Sequence, residues 1–353
     1  MQLKYNFSEV SHVGNVREKN EDSCKAVKTI NGHLFIVCDG MGGAAEGKKA
    51  SSLAVDSIVA YFTKEKYDNI QIALYKSLEF ANEQIYATAQ AFPDYKGMGT
   101  TVCVIILKDD EFHYAHVGDS RIYLYSDNNL FQLTKDHSFV NQLVDQGTIT
   151  IEAAKTHKDK NRILKALGVH AKVEPNISFQ PMLLKKEDIL LSCSDGLTDM
   201  ISDDNIKDVL STESTIELKT KKLIEKALAN GGKDNITVQS IKIIESNHKK
   251  SIFIDKTIYP KKDLSKTIEN KTEINRSSFS FKKVVISFLI VLTLGVLLWV
   301  LFINKSSIKS EGNKIINNDS TKLKIDKTNK KSIKDFKEKD TIFSTKKSKK
   351  HDK

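Results

Sequence analysis

Apolar residues follow two spacings in the first 242 residues of the chain. Short runs rich in Val, Ile and aromatic residues, bounded by Gly, Asp or Asn, are typical of β-strands. They are HLFIVCD (33–39), TVCVIIL (101–107), FHYAHVG (112–118), RIYLY (121–125), DILLSCS (188–194) and NITVQSIKI (235–243). Helical spacing of apolar residues predicts two long helices, GKKASSLAVDSIVAYFTKE (47–65) and NIQIALYKSLEFANEQIYATAQAF (69–92). Many strands and few long helices predict an α+β sandwich with a sheet-rich core and helices outside.

The pattern changes after residue 242. Residues 243–283 are rich in Lys, Ser, Thr and Asn and predict a juxtamembrane linker. Residues 284–303, VVISFLIVLTLGVLLWVLFI, contain no charge, and as a helix they would extend about 30 Å, the thickness of a bilayer's hydrocarbon core. Lysines flank this stretch and Trp299 lies near one end, so we predict a single transmembrane helix. Residues 304–353 are lysine-rich and predict a disordered tail.

Charge is distributed unevenly along the chain. Residues 1–240 carry 28 Lys+Arg and 33 Asp+Glu, a net of −5, whereas residues 241–353 carry 27 and 12, a net of +15. The overall charge of +10 therefore comes from the C-terminal third. Aromatic residues that could stack on bases are sparse there, so no nucleic-acid binding is expected.

Cysteine usage and the N-terminus indicate a reducing compartment. Cys24, Cys38, Cys103 and Cys193 form no CxxC pair, and three of them lie inside apolar runs, as is typical of buried, reduced cysteines. The first residues, MQLKYNFSEV, are too polar for the hydrophobic core of a signal peptide. Both features favour a cytoplasmic location for residues 1–242.

The stretch LFIVCDGMGG (34–43) ends a buried strand with a carboxylate. Burying a lone ionised Asp is costly, so Asp39 must reach water or hold a positive partner. Other acidic residues stand at predicted strand ends or starts: Glu21, Asp22, Asp119, Asp195 and Asp234. Carboxylates gathered at one end of a sheet repel one another unless cations neutralise them. Hard divalent cations such as Mg²⁺ or Mn²⁺ prefer such oxygen ligands.

Eight ordered blocks resemble the metal-dependent type 2C serine/threonine protein phosphatases in their bacterial form. They are GNVREKNEDS, FIVCDGMGGAAEGKKAS, GMGTT, HVGDSRIY, LTKDHS, KALG, LLSCSDGLTDMI and GGKDNITV. The resemblance extends from about residue 5 to 242. It implies a four-layer α–β–β–α sandwich, with a dinuclear Mg²⁺ or Mn²⁺ site at one edge of the sheets. It also implies hydrolysis of phosphoserine and phosphothreonine on proteins by a water that the two metals activate.

The resemblance assigns metal ligands by position. Asp39 would bridge the two metals, and the carbonyl of Gly40 would bind one of them. Asp195 and Asp234 would complete the shell of the other metal.

Further residues match the family near these ligands. Glu21 and Asp22 match an acidic pair near the second metal, where contact is often through water. Asp119 matches a residue that helps to hold a third, weaker metal, shared with Asp195. Arg17 matches the arginine that grips the substrate phosphate, a task that suits a planar guanidinium. Asn235 would contact these ligands without binding a metal itself.

Two further segments bear on catalysis. Some family members have His where this chain has Met41, and Met cannot protonate the leaving alkoxide, so another group must do so. Bacterial members share the Met, and we do not read it as inactivation.

Residues 145–168 match the family's flap beside the active site, which would carry substrate preference; an ordinary pair of surface helices is the alternative. His116 and His137 stand near strand ends, where structural roles are expected.

Other classes of protein are also considered. GGAAEGKK (42–49) approaches a Walker A motif, but Lys49 stands where a Ser or Thr must bind Mg²⁺, and an NTPase leaves the acidic residues unexplained. An inactive, membrane-tethered phosphoprotein-binding module would have lost metal ligands, and it remains the alternative function. A phosphatase for small phosphorylated metabolites would need the same ligands, but the resemblance argues against it.

The sequence thus predicts a membrane-anchored bacterial protein phosphatase that opposes a Ser/Thr kinase, which would be among its partners. Five Lys+Arg lie in residues 264–283 and four in residues 304–323, so charge bias does not orient the predicted span. The cytoplasmic placement of the catalytic domain rests instead on its cysteines, its N-terminus and its expected substrates, and it puts the tail outside.

Overall fold

The computed structural model describes residues 3–42 and 46–249. The strands are β1 (Lys4–His12), β2 (Ser23–Thr29), β3 (Gly32–Cys38), β4 (Gly40–Met41), β5 (Gly99–Thr100), β6 (Val102–Lys108), β7 (Glu111–Val117), β8 (Arg121–Ser126), β9 (Asn129–Gln132), β10 (Asn176–Ile177), β11 (Met182–Leu183), β12 (Ile189–Cys193) and β13 (Ile236–Glu245). Two antiparallel sheets form the centre. The first has the strand order β10-β7-β6-β3-β2, with β11 also paired to β7, and the second has the order β1-β13-β12-β8-β9; a small β4-β5 pair accompanies them.

Seven α-helices and one short 3₁₀ turn, Pro93–Tyr95, accompany the strands in the described residues. The helices are α1 (Glu46–Lys64), α2 (Ile70–Ala91), α3 (Phe139–Asp145), α4 (Ile151–Lys155), α5 (Asp195–Thr198), α6 (Asp203–Ser211) and α7 (Ile216–Ala229). The N-termini of α2, α3, α4, α6 and α7 are each capped by an Asn, Ser or Thr side chain that accepts a backbone N–H.

Three apolar clusters account for the layers. Phe35, Ile105 and Leu190 belong to the cluster between the two sheets. The outer face of the first sheet packs against α1 and α2, and the outer face of the second packs against α5, α6 and α7. Residues of β3 are buried on both faces because the second sheet covers one face and α1 and α2 cover the other. The predicted mixed α/β architecture is confirmed.

Strand pairing brings several chain segments to one edge of the sandwich. Ser23 at the start of β2 pairs with Cys38 at the end of β3, and Val102 at the start of β6 pairs with Val117 at the end of β7. In the second sheet, Cys193 at the end of β12 pairs with Val238 near the start of β13. The acidic residues next to these strand ends therefore meet. We call Asp22, Asp39, Asp119, Asp195 and Asp234 the acidic edge.

Several elements were not among the sequence predictions. Strands β1 and β2 lie next to one another at one side of the sandwich. Every position along them is exposed or half-buried, and neither contains a continuous apolar run. Strand β13 continues to Glu245, past position 242. None of the helices in the described ranges is long and apolar enough to cross a membrane. The predicted transmembrane helix at 284–303, most of the linker at 243–283 and the tail at 304–353 lie outside those ranges.

Candidate active site

The carboxylates of the acidic edge lie close enough to repel one another. Burial raises the pKa of Asp39 well above its usual range, and the charges of Asp22, Asp195 and Asp119 raise it further. Burial also raises the pKa of Asp119, and Asp195 adds to the effect. Four of the predicted metal-site residues thus share one small region of low dielectric, where ionised carboxylates are unfavourable without a positive partner.

Asp22 is the least exposed residue of the acidic edge. Its side chain is 2% exposed, and burial raises its pKa to about 7, against hydrogen bonds from Thr237 and Ser194 that lower it. The Ser194 hydroxyl donates to Asp22 Oδ2 at 2.9 Å and accepts from the Thr237 amide at 3.0 Å. Burial likewise raises the pKa of Asp195 to about 6, and the charge of Asp234 adds to this.

Divalent cations fit these residues. The Oδ1 atoms of Asp22, Asp119 and Asp195 are buried and accept no hydrogen bond from the residues that the structure describes. Buried carboxylate oxygens without a donor are rare, and each calls for a partner such as a metal ion. Among the described residues, no three His, Cys, Asp or Glu side chains already form a metal-binding group. The fit therefore rests on the orphaned oxygens, the mutual repulsion and the preference of hard cations for carboxylates.

Backbone contacts fix the turn that carries Asp39. The Asp39 amide donates to Thr101 Oγ1 at 3.1 Å, and its carbonyl accepts from the Thr101 amide and the Thr100 hydroxyl, both at 2.8 Å. A Cβ on Gly40 would lie 2.1 Å from the carbonyl oxygen of Gly47, so only glycine allows helix α1 to approach this turn.

Arg17 stands at the rim, on a loop that Asn235 holds. Its Nη2 donates to Asp234 Oδ2 at 2.7 Å. The Asn235 side chain donates to the carbonyls of Val13 and Lys19, each at 2.9 Å, and accepts from the Glu21 amide at 2.8 Å. One amide group thus ties both ends of the Arg17 loop to the start of β13.

Glu21 is less buried than Asp22. Burial raises the pKa of Glu21, while the nearby charge of Arg17 lowers it. A Cβ on Gly47 would lie 2.5 Å from Glu21 Oε2, which places this carboxylate against the first turn of α1. The adjacent acidic pair is therefore split, with Asp22 inside the acidic edge and Glu21 beside it.

The remaining predicted residues lie around this centre. Met41 pairs with Gly99 in the small β4-β5 sheet. The predicted flap contains the end of α3 and all of α4. Lys160 of the flap donates to Asp199 Oδ2 at 2.7 Å, one turn after Asp195. The flap therefore contacts the segment that carries one of the predicted ligands.

Sequence reasoning did not single out three supporting residues, Ser194, Thr100 and Thr101. Ser194 directly precedes Asp195 in CSDG, and the threonines follow glycine in GMGTT. A hydroxyl residue next to a predicted ligand is a weak signal, because Ser and Thr are common in turns. Their roles become visible only when strands distant in sequence are paired.

Solved bacterial serine/threonine phosphatases share this fold. The S. agalactiae serine/threonine phosphatase superposes with a TM-score of 0.65 at 36% identity, covering 69% of this chain and 100% of that one. The catalytic domain of the serine/threonine protein phosphatase PstP, in complex with two manganese ions, superposes with a TM-score of 0.61 at 36% identity, covering 69% of this chain and 100% of that one. The fold is thus that of the metal-dependent serine/threonine phosphatases.

Sequence comparison gives the same class. The family described as "Protein phosphatase 2C" matches residues 11–230. The serine/threonine phosphatase Stp of Listeria welshimeri is 40% identical over 233 residues, which are 64% of this chain and 90% of that protein. The chain belongs to the protein phosphatase 2C family. The predicted family, phosphatase activity and use of Mn²⁺ or Mg²⁺ are confirmed at this level.

Proposed function

We propose that the acidic edge hydrolyses phosphoserine and phosphothreonine on proteins. The observation that carries this proposal is the set of buried carboxylate oxygens without donors on Asp22, Asp119 and Asp195. They lie around Asp39, whose pKa is raised by burial and then by its acidic neighbours. Such a site binds cations, and a phosphoryl group brings negative oxygens that cations and Arg17 can neutralise.

Each residue has a defined task in the proposed site. Asp39 and the Gly40 carbonyl, with Asp195 and Asp234, would hold two ions. Asp22 and Glu21 would complete the ligands of the second ion, directly or through water, and Asp119 would hold a third ion together with Asp195. When bound, Mn²⁺ or Mg²⁺ lowers the pKa of an attacking water and offsets charge on the phosphoryl oxygens.

The protein's own groups bind and orient the substrate. Arg17, exposed at the rim, donates N–H groups to the phosphate of the substrate, and its fork geometry suits two parallel hydrogen bonds. Met41 has no proton to give, so it cannot serve as the general acid.

Phosphate release tests the proposal. The full-length protein is assayed with a phosphothreonine peptide, with and without Mn²⁺, beside Asp39→Asn. We expect release that requires the metal and is lost in the variant. A folded wild-type protein that binds the phosphopeptide but releases no phosphate with Mn²⁺ or Mg²⁺ would instead identify the inactive phosphoprotein-binding module.

We further propose that the protein is a single-pass membrane protein. The support is the uncharged stretch 284–303 with Lys282, Lys283 and Lys305 at its ends. The phosphatase domain, residues 1–242, would be cytoplasmic, followed by a linker at 243–283 and, after the span, a tail at 304–353. The described cysteines are all unpaired, in keeping with a reducing compartment.

A cytoplasmic, membrane-bound phosphatase would oppose a bacterial Ser/Thr kinase and would act on the kinase's substrates or on the kinase itself. Membrane fractionation and protease treatment of intact cells test the location. We expect the protein in the membrane fraction, with residues 1–242 protected from external protease. Recovery in the soluble fraction would overturn the anchor, and cleavage of the domain in intact cells would overturn the orientation.

A further inference from the structure

Three hydrogen bonds join the end of β7 to residues 135–137, which lie on the segment that leads into the flap (145–168). The His116 side chain donates from Nε2 to the carbonyl of Lys135 at 2.9 Å. The His137 amide donates to the carbonyl of Gly118 at 2.9 Å, and the Gly118 amide donates back to Nδ1 of His137 at 3.1 Å. The two imidazole rings stack, with centroids 4.8 Å apart. The segment that leads into the flap is therefore bonded to Gly118, the residue that directly precedes Asp119.

Gly118 has little freedom in this arrangement. Its φ of +106° lies in the region that favours glycine, and a Cβ there would come within 2.6 Å of the Thr101 side chain. Thr101 also shares a hydrogen bond of 2.6 Å with Ser120 and binds the backbone of Asp39. The Gly118 turn thus sets Asp119 relative to Asp39, and the His137 ring supplies the acceptor for the turn's amide.

His137 also contacts the far end of the flap. Its carbonyl accepts from the Leu164 amide at 2.7 Å, and the next residues, Phe139 and Arg162, are joined by a backbone hydrogen bond of 2.9 Å. These bonds join the segment before the flap, residues 137–139, to residues 162–164 within it, and we call the two paired segments the base of the flap. His137 therefore contacts both the C-terminal part of the flap and the turn before Asp119.

We propose that His137 is a positioning residue that sets the Asp119 carboxylate through Gly118 and couples it to the base of the flap. The inference rests on the proposed function in one respect, the role of Asp119 as a metal ligand. Because Nδ1 accepts from an amide, the neutral ring carries its proton on Nε2. A shift of the flap base would move His137 and hence Asp119, so flap position and metal binding at Asp119 are linked.

Two substitutions separate the acceptor from the general bulk of the ring. His137→Asn places a carbonyl oxygen where Nδ1 lies and can still accept from the Gly118 amide. His137→Gln carries its amide one bond further out, near the position of Nε2, and leaves the Gly118 amide without this acceptor. His170→Gln makes the same chemical change at an exposed histidine and serves as the control.

The first measurement is amide hydrogen exchange of the metal-free, full-length protein. We expect the Gly118 amide to exchange faster in His137→Gln than in the wild type, and to stay protected in His137→Asn and His170→Gln. This readout does not depend on catalysis. Equal protection in all four proteins would overturn the role of the ring as acceptor.

The second measurement is Mn²⁺ titration by calorimetry, followed by steady-state kinetics with a phosphothreonine peptide. For His137→Gln we expect two losses of roughly 10-fold or more, the range found for residues that support metal ligands. One is in the affinity of the weakest Mn²⁺ site, and the other is in kcat. The tighter Mn²⁺ sites and KM should stay near wild-type values, and His137→Asn should recover most of kcat.

The outcomes separate the two proposals. A wild-type protein that binds no Mn²⁺ and releases no phosphate would overturn the proposed function. An active wild type with His137→Gln indistinguishable from it would overturn the positioning role alone. Equal losses in His137→Asn and His137→Gln would also overturn it, because they would assign the effect to the ring's bulk.

Discussion

Arg17 and Asp234 form an ion pair at the rim of the acidic edge, with Nη2 and Oδ2 2.7 Å apart. Their side chains are 52% and 38% exposed, so water screens the attraction and the pair adds little to folding. The pair instead places a guanidinium beside a predicted metal ligand, where a bound phosphate would meet both. If Arg17 binds the substrate phosphate as proposed, the contact bears on substrate binding more than on stability.

Replacing Arg17 by Ala should weaken substrate binding and spare the fold. We expect kcat/KM for a phosphothreonine peptide to fall roughly 10- to 100-fold, the value of a lost charge-assisted hydrogen bond. The free energy of unfolding should change by less than about 1 kcal/mol. Steady-state kinetics and urea unfolding measure the two quantities.

A second surface ion pair provides the control. Lys4 and Glu245 are 2.9 Å apart at the ends of β1 and β13, and Lys4→Ala removes one positive charge as Arg17→Ala does. We expect this variant to keep wild-type kcat/KM. An Arg17→Ala protein as active as Lys4→Ala would contradict the phosphate-binding role.

Asp39→Asn should have opposite effects on activity and on metal-free stability. Activity should fall by at least about 100-fold, because an amide cannot bridge two cations as a carboxylate does. Without metal, the variant should be more stable by on the order of 1 kcal/mol, because one charge leaves a repelling cluster. Calorimetric melting in a chelator should show Tm raised by roughly 2–4 °C.

The same change at an exposed site controls for the loss of charge itself. Asp56 lies on the solvent side of α1, away from the cluster, and Asp56→Asn should leave both activity and metal-free Tm unchanged. Added Mn²⁺ should raise Tm for the wild type and for Asp56→Asn more than for Asp39→Asn, because only an intact site gains stability from bound metal. A metal-free Asp39→Asn protein less stable than the wild type would show that repulsion is not the dominant effect.

The acidic edge could be anticipated from local sequence where a buried strand runs directly into an Asp. Asp39, Asp119 and Asp195 have this form, because strand periodicity and the following turn are both local signals. Asp22 is different. Its burial depends on β2, whose half-polar pattern is a weak signal for a strand. The sequence pattern placed Asp22 only near a strand start, and the resemblance to a family assigned it to the metal site.

Long-range contacts explain what sequence reasoning left out. Ser194 binds Asp22, 172 positions earlier, and Asn235 binds the carbonyls of Val13 and Lys19 across more than 200 positions. A single sequence shows neither contact, because each depends on the register of paired strands. The ligand roles of the acidic residues stay predictions.

Asp119→Ala should separate metal binding from turnover. If Asp119 holds only the weaker third ion, the variant should bind two Mn²⁺ ions as tightly as the wild type. Turnover should still fall, by roughly 10-fold or more. Calorimetric titration gives the affinities, and phosphate release from a phosphothreonine peptide gives kcat. Loss of the tight sites would instead place Asp119 with Asp39 and Asp195 as a primary ligand.

Ser194→Ala should lower both the stability of the protein and its affinity for metal. Its hydroxyl donates to Asp22 and accepts from the Thr237 amide, so the substitution leaves two buried groups short of a partner. We expect the free energy of unfolding to fall by about 1–3 kcal/mol. Metal affinity should fall as well, because Asp22 loses the donor that orients it.

Ser192 is the matched control for this prediction. It lies on β12 two residues before Ser194 and is equally buried, at 1% exposure. Its hydroxyl has no hydrogen-bond partner among the described residues, so Ser192→Ala removes no observed bond. We expect its stability and Mn²⁺ affinity to stay near wild type. Equal losses in both variants would mean that packing on β12, and not the bond to Asp22, explains the effect of Ser194→Ala.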